Sequence, residues 1–245
     1  MSSHRKYAAV AFTDAEVVSQ ALAELPSMID LLPAGSKARL VAVNTDTNWG
    51  CGVGKRAFDL AVAVSALVVL APLLALIAVL VRLDSKGPAL FRQKRNGICG
   101  RGFEILKFRT MHVMEDGEAV VQARQGDPRA TRVGRWLRRT SLDELPQLIN
   151  VVRGDMSLIG PRPHAAAHDS YYSALIRDYR HRQAVKPGIT GWAQVNGHRG
   201  PTPTLDSMAA RIEFDLWYAR HANFALDLEI LLRTPLEVFR ARNAC

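Results

Sequence analysis

The sequence predicts an α+β fold that is mainly helical and is attached to a membrane by one segment. Three observations predict this class: a long apolar segment at residues 60–81, two strand-like segments soon after it, and helical periodicity in most of the remaining chain. The 245 residues suffice for one sizeable core with appendages. We expect a soluble extension at residues 1–54, a membrane helix at 55–86 and one main domain at 87–245.

Residues 1–54 contain no pattern that is typical of a catalytic site. Their last glycines, followed by Lys55, are similar to a phosphate-binding loop. The glycine spacing is wrong, however, and Arg56 stands where that loop needs a Ser or Thr for Mg²⁺. A hinge is the better interpretation, and we expect Lys55 and Arg56 to act as a basic anchor on the membrane surface.

The apolar segment at residues 60–81 passes the length test for a transmembrane helix. Pro72 lies in its middle, where it removes a backbone hydrogen bond at a cost of about 3 kcal/mol in an ordinary helix. The segment has basic residues on both sides, so the positive-inside rule gives no orientation. These residues are Lys55 and Arg56 before it and Arg82 and Lys86 after it.

A re-entrant helix, broken at Pro72 and returning to the same leaflet, explains both features. Its first arm, at residues 60–71, would be about 18 Å long at about 1.5 Å per residue. This length is little more than half of a hydrocarbon core of about 30 Å. The sequence thus predicts a monotopic membrane protein. A straight, kinked span remains an alternative, because membrane helices tolerate proline.

The region after the membrane segment is predicted to contain a β-hairpin and an amphipathic helix. Residues 89–93 and 103–108 have the pattern of strands around a glycine-bearing loop at 96–102. Residues 131–139 form a basic amphipathic pattern, in which Trp136 suits the depth of a membrane interface. We therefore expect amphipathic interfacial helices beside the membrane helix.

The chain is basic, with 32 Lys and Arg against 23 Asp and Glu and a formal net charge of +9. This charge suits nucleic acid, anionic lipid and phosphorylated small molecules equally. The sequence has no helix-turn-helix, zinc module or RNA-binding aromatic signature, so we expect no nucleic-acid partner. The three cysteines share no metal-ligand spacing, which favours a reducing compartment.

Two adjacent carboxylates, Asp143 and Glu144, are the candidate catalytic residues. The structural alternative is helix capping, in which Ser141 caps a new helix and Glu144 completes a capping box. The basic neighbours Arg138 and Arg162 favour chemistry instead. An aspartate beside guanidinium groups stays ionised at neutral pH, and it can then attack phosphorus or bind Mg²⁺.

A weaker candidate is a zinc site at His164 and His168. Their spacing places two imidazoles on one face of a helix, as in known zinc motifs. A zinc site needs three or four ligands. The sequence shows no third ligand, so we expect no zinc here.

Five segments, in the same order throughout, resemble the bacterial sugar transferase family, the monotopic polyprenyl-phosphate phosphoglycosyl transferases. They are residues 55–59, 107–111, 142–147, 150–163 and 186–197. The similarity covers about residues 55–245 and is more specific than any single motif. The chain departs from the family at the break in the membrane helix, which is Ala71-Pro72 rather than Ser-Pro. The proline is kept, and the hydroxyl that would satisfy a freed carbonyl is missing.

The resemblance implies an enzyme that transfers a sugar 1-phosphate from a UDP-sugar to undecaprenyl phosphate and releases UMP. This reaction begins the synthesis of an exopolysaccharide, capsule or O-antigen. The resemblance also places the domain at residues 87–245 on the cytoplasmic face of the bacterial inner membrane. Self-association of the protein is a further expectation. A catalytically silent membrane adaptor is the alternative from another class, and release of UMP distinguishes the two.

By matching position, the resemblance makes Asp143 a nucleophile that forms an aspartyl-phosphosugar intermediate, and Glu144 its catalytic partner. It also implies Mg²⁺ as the cofactor, held at Asp143. The residues expected to bind phosphate groups or other parts of the substrate are Arg138, Arg162, Lys107, Arg109 and Gln147. The motifs at 161–168 and 191–197 are similar to the glucose 1-phosphate branch, with galactose and an N-acetylated sugar as alternatives.

Overall fold

The structure, a computed structural model, describes residues 49–112 and 127–240. The helices are, in chain order, α1 (Val53–Asp84), α2 (Arg132–Thr140), α3 (Gln147–Arg153), α4 (Ala166–Leu175), α5 (Trp192–Val195), α6 (Leu205–His221) and α7 (Phe224–Arg240). The strands are β1 (Leu90–Asn96), β2 (Gly102–Phe108), β3 (Ser157–Ile159) and β4 (Gly188–Thr190). The predicted class, α+β and mainly helical, is confirmed. The predicted extension at residues 1–54 lies outside the described residues except for 49–54.

One helix in the described part of the chain is long and apolar enough to cross a membrane. α1 contains 32 residues, which corresponds to about 48 Å at about 1.5 Å per residue. The backbone stays helical through Pro72, so the two predicted arms belong to one helix, and re-entry at this residue stays a prediction. The fixed φ of proline is itself helical, and a long apolar helix tolerates the loss of one backbone hydrogen bond.

The N-terminal end of α1 is bound to the rest of the domain. The Lys55 ammonium contacts the Asp227 carboxylate of α7 at 2.5 Å, and both side chains are almost fully buried. Arg56 donates to the carbonyl oxygens of Val151 and Val152 at 2.5 and 2.8 Å, at the end of α3. The prediction makes Lys55 and Arg56 an anchor on lipid. In the structure both side chains bond acceptors of the protein, and an anchoring contact with lipid stays a prediction.

The C-terminal end of α1 is bound to the same domain through Arg109, which follows β2. Its Nη1 donates to the carbonyl oxygen of Lys86 at 2.6 Å, and its Nη2 donates to those of Val81 and Ser85 at 3.3 and 2.5 Å. The last carbonyls of a helix lack intrahelical donors, and a cationic side chain satisfies them. The prediction counts Arg109 among the substrate-binding residues, but its guanidinium is buried at this helix end instead.

Between its two ends, α1 exposes an apolar surface. Val68 and Val69 expose 70% and 74% of their surface, while Ala63 and Ile77 are buried in two separate cores on either side of Pro72. A contiguous apolar surface of this kind favours contact with lipid or with another apolar partner. The structure is therefore compatible with a monotopic membrane protein.

The larger core joins α1 to the helices and strands of the main domain. Its buried members include Ala63 of α1, Val151 of α3, Ile159 of β3, Tyr218 of α6 and Ile230 of α7. A smaller core packs the C-terminal half of α1 against β2 and α2. Burial of apolar surface is the main free-energy source of such packing, so the two cores fix α1 against the domain at two places along its length.

β1 and β2 form the predicted antiparallel hairpin, with Leu90 opposite Phe108. The side chain of Asn150, on α3, is fully buried and bonds the outer edge of β2. Its Oδ1 accepts the N–H of Leu106 at 2.9 Å, and its Nδ2 donates to the carbonyl oxygen of Glu104 at 2.7 Å. One amide thus satisfies a donor and an acceptor of the strand and holds α3 against the hairpin.

α2 confirms the predicted helix at residues 131–139. Thr131 caps it, because its Oγ1 accepts the N–H of Gly134 at 2.9 Å. The carboxylate of Asp84, at the end of α1, accepts the N–H of Val133 at 2.9 Å. Trp136 is half exposed on the outer face of α2. These bonds place α2, and the acidic turn that follows it, beside the end of the apolar helix.

β3 and β4 form a second sheet of two parallel strands. A Cβ at Gly160, directly after β3, would overlap the carbonyl oxygen of Lys186, so only glycine permits this close approach. The chain then continues into the turn Pro161-Arg162-Pro163. The sheet thereby directs Arg162 towards the acidic turn.

Candidate active site

The acidic turn connects α2 to α3. Ser141 has left-handed backbone angles (φ 59°, ψ 16°), and a 3₁₀ turn follows at Leu142–Glu144. The hydroxyl of Ser141 makes no capping hydrogen bond to this turn. The Glu144 side chain bonds Lys107 and Arg162 rather than the backbone of Ser141. The capping-box alternative is therefore wrong, and both carboxylates are available to a site.

Glu144 is held by two cations. Lys107, on β2, donates to its Oε1 at 2.7 Å. Arg162 contacts both oxygens, with Nη1–Oε2 at 3.0 Å and Nη2–Oε1 at 2.5 Å. Burial alone raises the pKa of Glu144, but Arg162 and Lys107 outweigh burial and hold the pKa well below its ordinary value. The two cations therefore favour the ionised form of Glu144.

Asp143 lies beside this cluster but behaves differently. It is 8% exposed, and among the described residues no donor forms a hydrogen bond with its carboxylate. Burial raises its pKa to about 6, Lys107 lowers it and Glu144 raises it. Two neighbouring carboxyl groups whose pKa values are pushed apart are typical of acids with different catalytic tasks.

Arg138 and Gln147 flank the pair. Arg138, in the last turn of α2, lowers the pKa of Asp143 through its charge. Gln147 opens α3, is 1% exposed, and its Nε2 has no hydrogen-bond partner in the described part of the chain. A buried donor without a partner is costly. Both residues lie where the sequence predicts substrate contacts, and those contacts remain predictions.

Residues 51–241 match the sequence profile of a family described as bacterial sugar transferase. The chain belongs to the bacterial sugar transferase family. A UDP-glucose:undecaprenyl-phosphate glucose-1-phosphate transferase of Caulobacter vibrioides is 54% identical over 190 residues, which is 78% of this chain and 71% of that protein. A protein of the same name from Escherichia coli K12 is 52% identical over 185 residues, 76% of this chain.

The chain spans only 40% of the length of the Escherichia coli relative. A UDP-N-acetylgalactosamine-undecaprenyl-phosphate N-acetylgalactosaminephosphotransferase of Aeromonas hydrophila is 42% identical over 193 residues, 77% of this chain and 45% of that protein. The family resemblance predicted from the ordered motifs is confirmed. Every residue of the cationic and acidic cluster lies inside the matched region.

The sequence analysis did not select two arginines that lie near the cluster of Lys107, Asp143, Glu144 and Arg162. Arg95, on β1, donates to the carbonyl oxygen of Pro163 at 3.2 Å; burial and then Arg162 lower its pKa to about 10. Burial also lowers the pKa of Arg199, while the charges of Glu144 and Asp143 raise it. The Nη1 of Arg199 is buried without a hydrogen-bond partner in the described ranges. Neither residue lies in one of the five family-like segments, so only their positive charge could have drawn attention to them.

The described residues offer no complete protein site for a metal ion. No group of three or more His, Cys, Asp or Glu side chains that could hold one is present in the described residues. His164 precedes α4 and shares a 2.6 Å hydrogen bond with the hydroxyl of Tyr179, so it does not share a helix face with His168. Mg²⁺ is often held by one or two carboxylates together with substrate phosphates and water. Asp143 fits that arrangement.

Proposed function

We propose that this transferase moves a sugar 1-phosphate from a UDP-sugar to undecaprenyl phosphate and releases UMP. The observation that carries the proposal is the pair of acids Asp143 and Glu144, whose pKa values are shifted in opposite directions. The pair lies among cationic side chains and near the end of the apolar helix α1. The named activities of the Caulobacter vibrioides and Escherichia coli relatives support it. The product begins the assembly of an exopolysaccharide, capsule or O-antigen.

In the proposed first step, a carboxylate oxygen of Asp143 attacks the phosphorus that carries the sugar. The bond from this phosphorus to the bridging oxygen breaks, and UMP leaves with the electron pair. With a pKa of about 6, the carboxylate is mostly ionised at neutral pH, yet it is poorly solvated and therefore reactive. Glu144 is unsuited to attack, because Lys107 and Arg162 occupy its oxygens.

In the second step, a phosphate oxygen of undecaprenyl phosphate attacks the same phosphorus, and Asp143 leaves as a free carboxylate. The lipid phosphate lies at the depth of the headgroups, and the acidic turn follows α2, which is bonded to the end of α1. The two steps restore the enzyme, and each breaks and forms one phosphorus–oxygen bond. The geometry thus supports a covalent route with one nucleophile.

The cations of the site would neutralise the diphosphate of the substrate. Around the two carboxylates lie Lys107, Arg138, Arg162 and Arg199, so positive charge is in excess. Donors without partners, on Gln147 and Arg199, would find acceptors in the phosphate oxygens or in the sugar. Groups of this kind stabilise charge on a transferring phosphoryl group.

Mg²⁺ is proposed as the cofactor, with Asp143 and the substrate phosphates as its ligands. When bound, it would neutralise charge on the diphosphate and assist the departure of UMP. The protein supplies one carboxylate, while Lys107 and Arg162 keep Glu144 in place. We expect chelation by EDTA to stop UMP release and added Mg²⁺ to restore it.

Glucose is the proposed sugar, because the most similar relatives quoted above are named for UDP-glucose. The Aeromonas hydrophila relative is named for an N-acetylated sugar, so N-acetylated sugars and galactose are the alternatives. Release of UMP from a panel of UDP-sugars would decide among them. We expect UDP-glucose to have the highest kcat/KM, and a higher value for another sugar would contradict the assignment.

We propose that α1 bends at Pro72, enters the cytoplasmic leaflet of the inner membrane and returns to it, with the domain in the cytoplasm. The support is that one domain binds both ends of the helix, through Lys55 and Arg56 at one end and Arg109 at the other. A helix with its ends on opposite sides of a bilayer could not make both sets of contacts with one compact domain.

Cysteine labelling would test this topology. Val53 and Leu83 are 86% and 78% exposed at the two ends of α1, and each can be replaced by Cys after the native cysteines are changed to Ser. We expect an impermeant thiol reagent to label both only after the inner membrane is opened. Labelling of either position in intact spheroplasts would contradict re-entry.

The reaction itself is tested by Asp143→Asn in membranes supplied with UDP-glucose and undecaprenyl phosphate. We expect UMP release to fall by at least about a thousandfold, since removal of a nucleophile has effects of that order. Asp206→Asn, at an exposed acid of α6, is the matched control. Near-normal release by Asp143→Asn would exclude this nucleophile, and no release by the unchanged protein would favour the adaptor alternative.

The covalent intermediate is tested separately by mass. The purified enzyme is mixed with UDP-glucose and no lipid acceptor, and the reaction is stopped with denaturant. We expect a mass increase of one sugar phosphate, mapped to the peptide that contains Asp143. A mass increase that persists in Asp143→Asn would contradict the assignment.

A further inference from the structure

We propose that Arg182, fixed by Asp215, is a positioning residue that holds the turn Pro161-Arg162-Pro163 and thereby aims the Arg162 guanidinium at Glu144. The proposal rests on the proposed function, in which Arg162 serves the transfer reaction. Neither Arg182 nor Asp215 belongs to the family-like segments of the sequence. Both lie behind the site, and neither touches the carboxylate pair.

The turn Pro161-Arg162-Pro163 has few backbone N–H donors with which to bond the rest of the domain. Pro161 and Pro163 have no backbone N–H, so the carbonyl oxygens carry most of its hydrogen bonding. All three are used: Pro161 accepts the N–H of Gly188 at 3.0 Å, Arg162 accepts from Nη2 of Arg182, and Pro163 accepts from Nη1 of Arg95 at 3.2 Å. Two of the three donors are therefore arginine side chains from distant segments, and Arg182 is the buried one.

Arg182 is itself fixed by a buried ion pair. It is 3% exposed, and Asp215 of α6 is 2% exposed. Its Nε and Nη2 both lie close to Oδ2 of Asp215, at 2.9 and 2.8 Å, and its guanidinium carbon lies 5.5 Å from the centre of the Tyr179 ring. The planar guanidinium can bond the carboxylate and the turn at once, whereas a lysine ammonium cannot reproduce this fork.

A buried pair of this kind is weak evidence of stabilisation, because desolvating two charges offsets most of their attraction. An apolar pair could fill the same space. An apolar pair could not donate the hydrogen bond that Arg182 makes to the carbonyl oxygen of Arg162. This bond fixes the backbone of the residue whose side chain bonds both oxygens of Glu144. A misplacement of about 1 Å at such a site can cost about a hundredfold in rate.

The test compares Arg182→Lys with Arg177→Lys, a matched change at an arginine that is 83% exposed. In Arg182→Lys we expect kcat for UMP release to fall between about tenfold and about a hundredfold, with KM changed less than about threefold. Arg177→Lys should match the unchanged enzyme. Asp215→Asn keeps the shape of the partner and should change kcat in the same direction by a smaller factor, which serves if Arg182→Lys fails to fold.

The folded fraction separates positioning from a merely structural role. Loss of folded enzyme would lower kcat only in proportion to the folded protein that is lost, and the amplitude of thermal unfolding measures that fraction. After division by the folded fraction, kcat of Arg182→Lys should stay lowered, because the bond from Arg182 to the carbonyl oxygen of Arg162 is disturbed in the folded enzyme as well. A corrected kcat equal to that of the unchanged enzyme would overturn the proposal.

Backbone hydrogen exchange, measured without substrate, keeps this proposal distinct from the proposed reaction. We expect peptides spanning residues 158–166 to exchange faster in Arg182→Lys and at the normal rate in Arg177→Lys. If the unchanged protein released no UMP, the proposed function would fail while exchange still decided whether Arg182 holds the turn. Unchanged exchange in Arg182→Lys would overturn the positioning role.

Discussion

Arg162 bonds both carboxylate oxygens of Glu144, with Nη1–Oε2 at 3.0 Å and Nη2–Oε1 at 2.5 Å. The adjacent Asp143 has no such partner in the described part of the chain. Because one acid is paired and the other is only buried, two neighbouring residues have pKa values displaced in opposite directions. In the proposed reaction, this difference would leave Asp143 available for attack while Glu144 holds the surrounding cations.

The pH dependence of activity should follow Asp143. Only its ionised form can attack phosphorus, so kcat/KM should fall as the pH is lowered through about 6. Lys107 lowers the pKa of Asp143, so Lys107→Met should move this limb to higher pH. Glu144→Gln should move it to lower pH, because the charge of Glu144 raises that pKa. Initial rates of UMP release from pH 5 to 9 measure both shifts, and shifts of the same sign would contradict this account.

Asp143→Asn should stabilise the fold at neutral pH. The pKa of Asp143 is raised from 3.8 to about 6 in the folded protein, so the folded state binds the proton more tightly than the unfolded state. The ionised group therefore lowers stability above about pH 6, by on the order of 1 to 3 kcal/mol, and the amide removes this cost. Thermal unfolding in detergent should show a higher Tm at pH 7.5 and a smaller gain at pH 5. An unchanged or lower Tm at pH 7.5 would contradict the prediction.

Lys55→Met should weaken the attachment of α1. Asp227 would be left as a buried charge, although Tyr218 and Trp49 still donate to it at 2.7 and 2.8 Å. Loss of one partner of a buried pair costs about 3 to 5 kcal/mol. The free energy of unfolding in detergent measures the loss, and adding Asp227→Asn to Lys55→Met should recover part of it. Equal losses in the single and double variants would argue against the pair.

Lys94→Met is the matched control for this experiment. Lys94 is exposed on β1, so its loss should change the free energy of unfolding by less than about 0.5 kcal/mol. A lipid-anchoring role for Lys55 would instead appear as weaker binding to anionic vesicles without loss of stability. The two roles of Lys55 are thereby distinguished.

Arg109→Gln should lower stability and leave substrate binding unchanged. Its guanidinium bonds the end of α1 through three carbonyl oxygens, so its loss should expose that helix end and lower the Tm. The KM for UDP-glucose should change by less than about twofold. Arg162→Gln is the comparison, since it should lower kcat/KM by at least about a hundredfold. A large rise in the KM for UDP-glucose in Arg109→Gln would instead support a substrate-binding role for Arg109.

The motif that contains Lys107 and Arg109 shows why the sequence could not assign these roles. Residues two apart in an extended chain point to the same side, so the pattern predicts a common site for both. β2 ends at Phe108, one residue before Arg109. Lys107 donates to Glu144, whereas Arg109 donates to carbonyl oxygens at the end of α1.

For the membrane segment, in contrast to the motif with Lys107 and Arg109, the local sequence was sufficient to predict a helix. Its length and apolar character depend only on local sequence, and α1 covers the predicted residues. Whether the helix breaks at Pro72 depends on the groups that surround the proline in space. The local sequence does not reveal those groups. The helix is continuous, and the support for re-entry comes from contacts at Lys55 and Arg109, which are distant in sequence.

The α+β class, the apolar helix, the hairpin, the family and the position of the acidic pair could all be predicted from the sequence. Each follows from periodicity, turn residues or an ordered set of motifs, which are local properties of the chain. The partners of the basic residues, the difference between Asp143 and Glu144 and the contact of Arg182 with the Arg162 turn became known only from the folded chain. Those features depend on burial and on partners far apart in the chain, because electrostatic and hydrogen-bond energies are set by distance in space.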